Sequence, residues 1–157
     1  MTVPPIPAGY HTVTPQLIVR DTDRAIAFYR EAFGAEVLGR LAAADGRVVH
    51  AEIKVGDSPI MLADEYPEWD NHSPERLGGS AGRLHLYVED VDAFASRVVA
   101  AGAEVRIPVA DQFYGDRSGR LADPFGHTWV VASRREDVPF EEIQRRFEEL
   151  MEGQGGG

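Results

Sequence analysis

Apolar residues recur along this chain with two alternating periods, and the same order of periods occurs twice. Val13 to Val19 runs at a period of two, with Val13, Leu17 and Val19 on one side, Thr14 and Gln16 on the other, and Ile18 as the exception; this predicts a half-buried strand. A helix follows, capped by Asp21 or Thr22, with Ile26, Tyr29 and Phe33 at helical spacing and its end marked by Gly34. Glu36 to Leu41 predicts a strand, and Asp45-Gly46 a hairpin turn. Val48 to Val55 then sets Val49, Ala51, Ile53 and Val55 against His50, Glu52 and Lys54. Gly56-Asp57 turns the chain into a fourth strand, Pro59 to Ala63. The second half repeats this order with a strand over Arg83 to Val88 and a helix over Asp92 to Ala101. Strands over Glu104 to Val109, Tyr114 to Leu121 and His127 to Ala132 follow, the last entered through the turn Asp123-Pro-Phe-Gly126. The residues themselves duplicate: Val19-Arg-Asp-Thr-Asp through Phe33-Gly-Ala-Glu-Val37 returns as Val88-Glu-Asp-Val-Asp through Ala101-Gly-Ala-Glu-Val105.

The flanking and joining segments lack this order. Residues 1–11 hold three prolines and predict an extended arm. Residues 64–82 hold Pro67, Trp69, Pro74 and three glycines without periodicity, which predicts a loop joining the halves. Asp137 and Pro139 start a C-terminal helix whose Phe140, Ile143, Phe147 and Leu150 form one stripe, with Glu141–Arg145 and Glu142–Arg146 pairs opposite. The expected organisation is an arm (1–11), a domain over 12–134, a helix over 135–152 and a disordered tail over 153–157. Within the domain, module one takes 12–65, the connector 66–81 and module two 82–134.

Composition narrows the partners. With 26 acidic against 16 basic residues the net charge is −10, which argues against a nucleic-acid backbone as partner. No apolar run approaches the roughly 20 residues that span a bilayer, and the N-terminus lacks a signal-peptide pattern. Zero cysteines remove disulfides, thiolate metal sites and a cysteine nucleophile, and a cytoplasmic location is expected.

The segments LIVRDTDRAIAFYREAFGAEV, RLHLYVEDVDAFASRVVAAGAEV and DPFGHTWVVAS resemble the vicinal-oxygen-chelate superfamily of glyoxalase I, antibiotic-binding resistance proteins and extradiol dioxygenases. VVHAEIKVGDSPIMLADE together with QFYGDRSGRLADPFGHTW is similar to its PhnB-like branch. The resemblance implies an α+β fold of two tandem βαβββ modules, whose curved mixed sheets form a cup, plus the C-terminal helix. It implies helices against the apolar strand faces, leaving Thr14, Gln16, His50, Glu52, Lys54, Arg83, His85 and Tyr87 pointing into the cup. Metal-dependent relatives carry His or Gln five residues before the Val that ends each module's first strand, and a Glu late in each fourth strand. This chain has Thr14 and Arg83 at the first pair, and Met61 (or Ile60) and Val130 at the second. The expectation is therefore no metal and no other cofactor; a displaced divalent site at Gln16, His50, Glu52 and His85 is the disfavoured alternative.

His50 and Glu52 share a strand face, where a carboxylate orients an imidazole for acid–base work, or else they form a surface ladder pair. His85 reads as a third acid–base candidate or as an interior residue satisfied by hydrogen bonds. Gln16, Met61, Trp69, Arg83, Tyr87 and Tyr114 are the ligand-binding candidates, with Arg83 able to fork onto a carboxylate or phosphonate or to pair with Glu52. Asp116 and Arg117 read as a structural ion pair, His127 as a turn residue that caps or faces solvent, and Trp129 as core. Trp69 reads as a lid, a subunit contact or an anchor for the connector. Three functions stay open: a homodimeric protein that sequesters an antibiotic or metabolite, an isomerase, epimerase or lyase moving a proton next to a carbonyl, and a divalent-metal glyoxalase-like lyase.

Overall fold

A computed structural model of the protein describes residues 2–155. In the first half, strand β1 (Gln16–Val19) leads into helix α1 (Thr22–Phe33), followed by β2 (Glu36–Ala42), β3 (Val48–Val55) and β4 (Ser58–Asp64). The Asp21 carboxylate accepts from Arg24 N at 3.0 Å to cap α1, and Gly34 ends it in the left-handed conformation that a side chain would oppose. The second half repeats the series as β5 (Arg83–Tyr87), α3 (Val91–Ala100), β6 (Glu104–Asp111), β7 (Asp116–Ala122) and β8 (Thr128–Arg134). A short α2 (Pro74–Leu77) lies in the connector, and α4 (Phe140–Gln154) closes the chain.

Each half makes one mixed sheet, ordered β1-β4-β3-β2 and β5-β8-β7-β6, with the first pair of each parallel and the others antiparallel. The apolar sides of both sheets and the helices α1 and α3 form a single core. Phe28, Tyr29 and Phe33 of α1 meet Phe94 of α3, Phe125 and Trp129 with ring centroids 4.8–6.0 Å apart. A helix of module one thus packs against β8 of module two. Polar links cross the same seam: Tyr29 donates to Asp123, Arg97 Nε to Ala32 O at 2.8 Å, and His127 Nε2 to Ile18 O at 3.0 Å.

Several expectations need correction. β1 begins at Gln16 rather than Val13, because Pro15 has no N–H for the ladder, and Val13 is left 82% exposed. The β2–β3 register shifts near Leu41, so Val48 is buried and Val49 only half-buried. β7 starts at Asp116, because Gly115 turns with a positive φ that returns the backbone toward Glu136. The connector is not featureless. Pro67 opens a 3-10 turn and Pro74 opens α2, positions where a missing N–H costs nothing. Arg117 forks onto Asp92 at 2.8 and 2.9 Å and reaches Asp111, while Asp116 faces Arg134, so the two neighbours do not pair with each other. His127 is buried, not solvent-facing. Arg145 pairs with Glu142 and Glu149, whereas the Glu142–Arg146 pair is present. α4 extends through Gly153 and Gln154, which belong to the helix and not to a tail; residues 156–157 lie outside the described chain. Its stripe stays open: Phe140 is 87% exposed, and Phe147, Leu150 and Met151 are about half exposed.

Candidate functional site

Strand pairing sets one row of aligned residues across each sheet. On the open face of the first sheet, Gln16 of β1 aligns with Met61 of β4, and Met61 with Glu52 of β3. On the second, His85 of β5 aligns with Val130 of β8, and Val130 with Arg120 of β7. The rows are repeat-equivalent, so Gln16 corresponds to His85, Met61 to Val130 and Glu52 to Arg120. The duplication has placed opposite charges at matching points. Met61 takes the open face, and Ile60 is buried on the helix side.

The first open face carries a cavity of about 510 Å3, lined by Thr14, Glu52 and Met61 and by the arm residues Ile6, Tyr10 and Thr12. Here the arm does more than precede the domain: Tyr10 shares this cavity with Glu52, and burial together with that carboxylate raises the phenol's pKa. His50 Nε2 lies 3.4 Å from Glu52 Oε1, both partly exposed. At this distance the two are neighbours in ion-pair range, longer than the 2.6–3.2 Å reach of a hydrogen bond that would orient the ring.

The second open face carries a cavity of about 830 Å3, lined by Arg83, His85, Arg106, Arg120, Thr128 and Val130 among others. A neighbouring cavity of about 290 Å3 shares Arg83, His85, Arg120 and Val130 and adds Ile107, Tyr114 and Ser118. Tyr114 Oη and Ser118 Oγ are 3.0 Å apart. Tyr87 lies outside these walls, stacked on His85 with centroids 4.8 Å apart.

The candidates therefore fall into two groups. Gln16, His50, Glu52 and Met61 lie on the first face; Arg83, His85, Tyr87 and Tyr114 lie on the second. A groove of about 470 Å3 contacts both modules: Arg83 and His85 of the second face line it together with His11, Pro15 and Ile60 of the first half and the helix-side Leu84 and Trp129. Arg83 makes no ion pair with Glu52. Trp69 joins neither group. Its ring, 59% exposed, stacks on Tyr66 at 4.3 Å, with the Arg47 guanidinium on Tyr66 at 3.9 Å, so it anchors the connector. Two further residues line these cavities, Arg120 and Tyr10. Arg120 was detectable by counting back along the repeat, ten residues before Val130 as Glu52 is nine before Met61; Tyr10, in an aperiodic arm, gave no signal.

The residues do not fit a divalent cation at the place the fold offers. Thr14 and Arg83, then Met61 and Val130, supply no carboxylate or imidazole, and Arg83 would repel the ion. Among the described residues no three His, Asp or Glu side chains gather as a cage, the set Gln16, His50, Glu52 and His85 included. Nor is any described helix long and apolar enough to cross a membrane.

Comparison with known proteins places these features. The Glyoxalase/Bleomycin resistance protein/Dioxygenase superfamily profile matches residues 10–131. The Mycobacterium tuberculosis protein Rv0887c is 40% identical over 148 residues, covering 92% of this chain and 85% of its own. TioX from Micromonospora sp. ML1 superposes with a TM-score of 0.61 at 26% identity, over 82% of this chain and 100% of that one. The PhnB protein from Bacillus cereus superposes with a TM-score of 0.61 at 20% identity, over 78% and 99%, a likeness of fold.

Proposed function

The chain belongs to the Glyoxalase/Bleomycin resistance protein/Dioxygenase superfamily, and within it we propose a cytoplasmic protein that sequesters a small, partly apolar organic ligand, an antibiotic or a metabolite, without a divalent metal. The observation that carries this reading is the pair of equivalent rows, Gln16–Met61–Glu52 and His85–Val130–Arg120, each mixing an apolar centre with hydrogen-bonding ends. The four positions where such a fold would deliver metal ligands hold Thr14, Met61, Arg83 and Val130. Because each open face lines its own cavity, the reading includes a homodimer in which one protomer's first face is closed by the second face of its partner. The exposed stripe of α4 supplies further apolar surface for pairing.

A second reading has one observation in its favour. The neighbouring side chains of His50 and Glu52, 3.4 Å apart on one strand face, favour an enzyme that moves a proton next to a ligand carbonyl, with His50/Glu52 or His85 as the acid–base group.

Native mass spectrometry of untagged protein incubated with a cell extract tests both. The expected result is a retained small molecule whose affinity is unchanged by EDTA, with no stoichiometric metal by elemental analysis. Affinity lost on chelation and restored by a divalent ion would overturn the metal-independent reading. If the retained molecule is turned over and His85→Ala abolishes turnover, the enzyme reading replaces sequestration. His85→Ala that only weakens binding keeps it.

A further inference from the structure

We propose that Arg83 and Arg120 form a subsite for an oxyanion, so that the ligand is a small organic acid carrying a carboxylate or a phosphonate. The inference rests on the cup reading above and names the chemical class of what the cup holds. In a chain with 26 acidic residues, most arginines are paired with carboxylates, as at Arg40–Asp23, Arg47–Asp45 and Arg117–Asp92. Arg83 and Arg120 make no such pair among the described residues, and both line the same cavity. Arg120 carries the sharper signal: its Nε is buried and has no hydrogen-bond acceptor. A buried guanidinium N–H without an acceptor is costly, and an oxyanion in the adjoining cavity would supply one.

The carboxylates that share the wall do not cancel this charge. Glu104 lies 3.5 Å from Arg106, and the Asp123 oxygens accept from Tyr29, Trp129 and the Phe125 and His127 amides. Thr128 and Ser118 add hydroxyl donors, while Val130 and Ile107 offer apolar surface for the rest of the ligand. The positive face therefore has a head-group end and a body end.

The test follows the arginine Nε–Hε signals of the full-length 15N-labelled protein by NMR, with Arg120→Lys identifying the Arg120 signal by its loss. Methylphosphonate, inorganic phosphate and acetate are titrated separately at ionic strength held constant with sodium chloride. A saturable shift of the Arg120 signal with at least one of the three is expected, and the arm that saturates first tells phosphorus oxyanions from carboxylates. Arg83→Gln, a substitution at an exposed position, is expected to weaken that binding roughly 10- to 100-fold. The subsite is overturned if all three probes move the signal no more than chloride does, or if Arg83→Gln leaves the affinity unchanged. It is also overturned if the signal ignores anions but moves in Glu52→Gln, which would give Arg120 to the partner's carboxylate. A neutral molecule captured from extract and not displaced by phosphate would end the subsite and leave the cup reading standing; saturable anion binding with no molecule captured would do the reverse.

Discussion

Asp123 shows how one residue can tie two modules together. Its carboxylate is buried and accepts from Trp129 Nε1 at 2.8 Å, Phe125 N at 2.9 Å, His127 N at 3.0 Å and the hydroxyl of Tyr29, which lies on a helix of the other module. Four donors spread the charge that burial would otherwise make costly. The same contact has a consequence for pH. Burial and then the Asp123 charge push the Tyr29 phenol well above the usual value near 10. The folded protein therefore keeps a proton that the unfolded chain releases above that pH. This contribution to stability is full well below pH 10 and falls as pH rises through and beyond it. Tyr29→Phe should lower stability at pH 7 by about 1–3 kcal/mol, because Asp123 loses a donor. It should also flatten the decline between pH 9.5 and 11, as read by urea unfolding; an unchanged decline would assign the effect to another group. The Asp-Pro-Phe-Gly turn was legible in the sequence, yet its partner Tyr29 lies 94 positions away, and no local pattern encodes that pairing.

At the level of elements, sequence pattern located every strand and the three longest helices, and it failed where proline and glycine act through backbone geometry. Pro15 shortened β1, while Pro67 and Pro74, read as loop formers, each began a helical turn. Periodicity sees side chains, not missing amides or close backbone approaches. Gly119 in β7 is the clearest instance of a close approach. A Cβ built there would sit 2.9 Å from Val109 N and 3.0 Å from Ile107 O of β6, where the β6–β7 register shifts. The Val109 Cγ2 methyl also lies 2.9 Å away, but the other two obstructing atoms are backbone, so β6 itself would have to move. Gly119→Ala should therefore destabilise the protein by about 1–3 kcal/mol and disturb the amides of β6 before those of β1 to β4. Chemical denaturation with 1H–15N spectra checks both; an unshifted β6 would mean the strand already has room. Because Ile107 pairs with Arg120, the same variant should perturb the second open face and leave the first unchanged.

At the level of the whole molecule, the repeat announced two modules but not how they are arranged. The helix-facing residues are buried against α1 and α3 whether the open faces meet within one chain or across two, so hydrophobic pattern cannot choose between the arrangements. The structure sets α1 against Trp129 and gives each open face its own cavity, and the proposed homodimer would complete each with a face of the second copy. Charge adds to the argument: Glu52 and Arg120 occupy equivalent points, so opposing an unlike pair of faces sets an acid against a base. Opposing two like faces would set acid against acid. Mixing variants distinguishes a shared cup from a private one. Take Glu52→Gln and Arg83→Gln, each expected to bind poorly alone, and let their subunits exchange. In a shared cup, half of the dimers in an equal mixture are mixed, and each mixed dimer holds one doubly altered cup and one wholly native cup. About a quarter of all cups should then bind the captured ligand with native affinity, as measured by titration calorimetry. In a private cup every site keeps its own substitution, and mixing restores nothing.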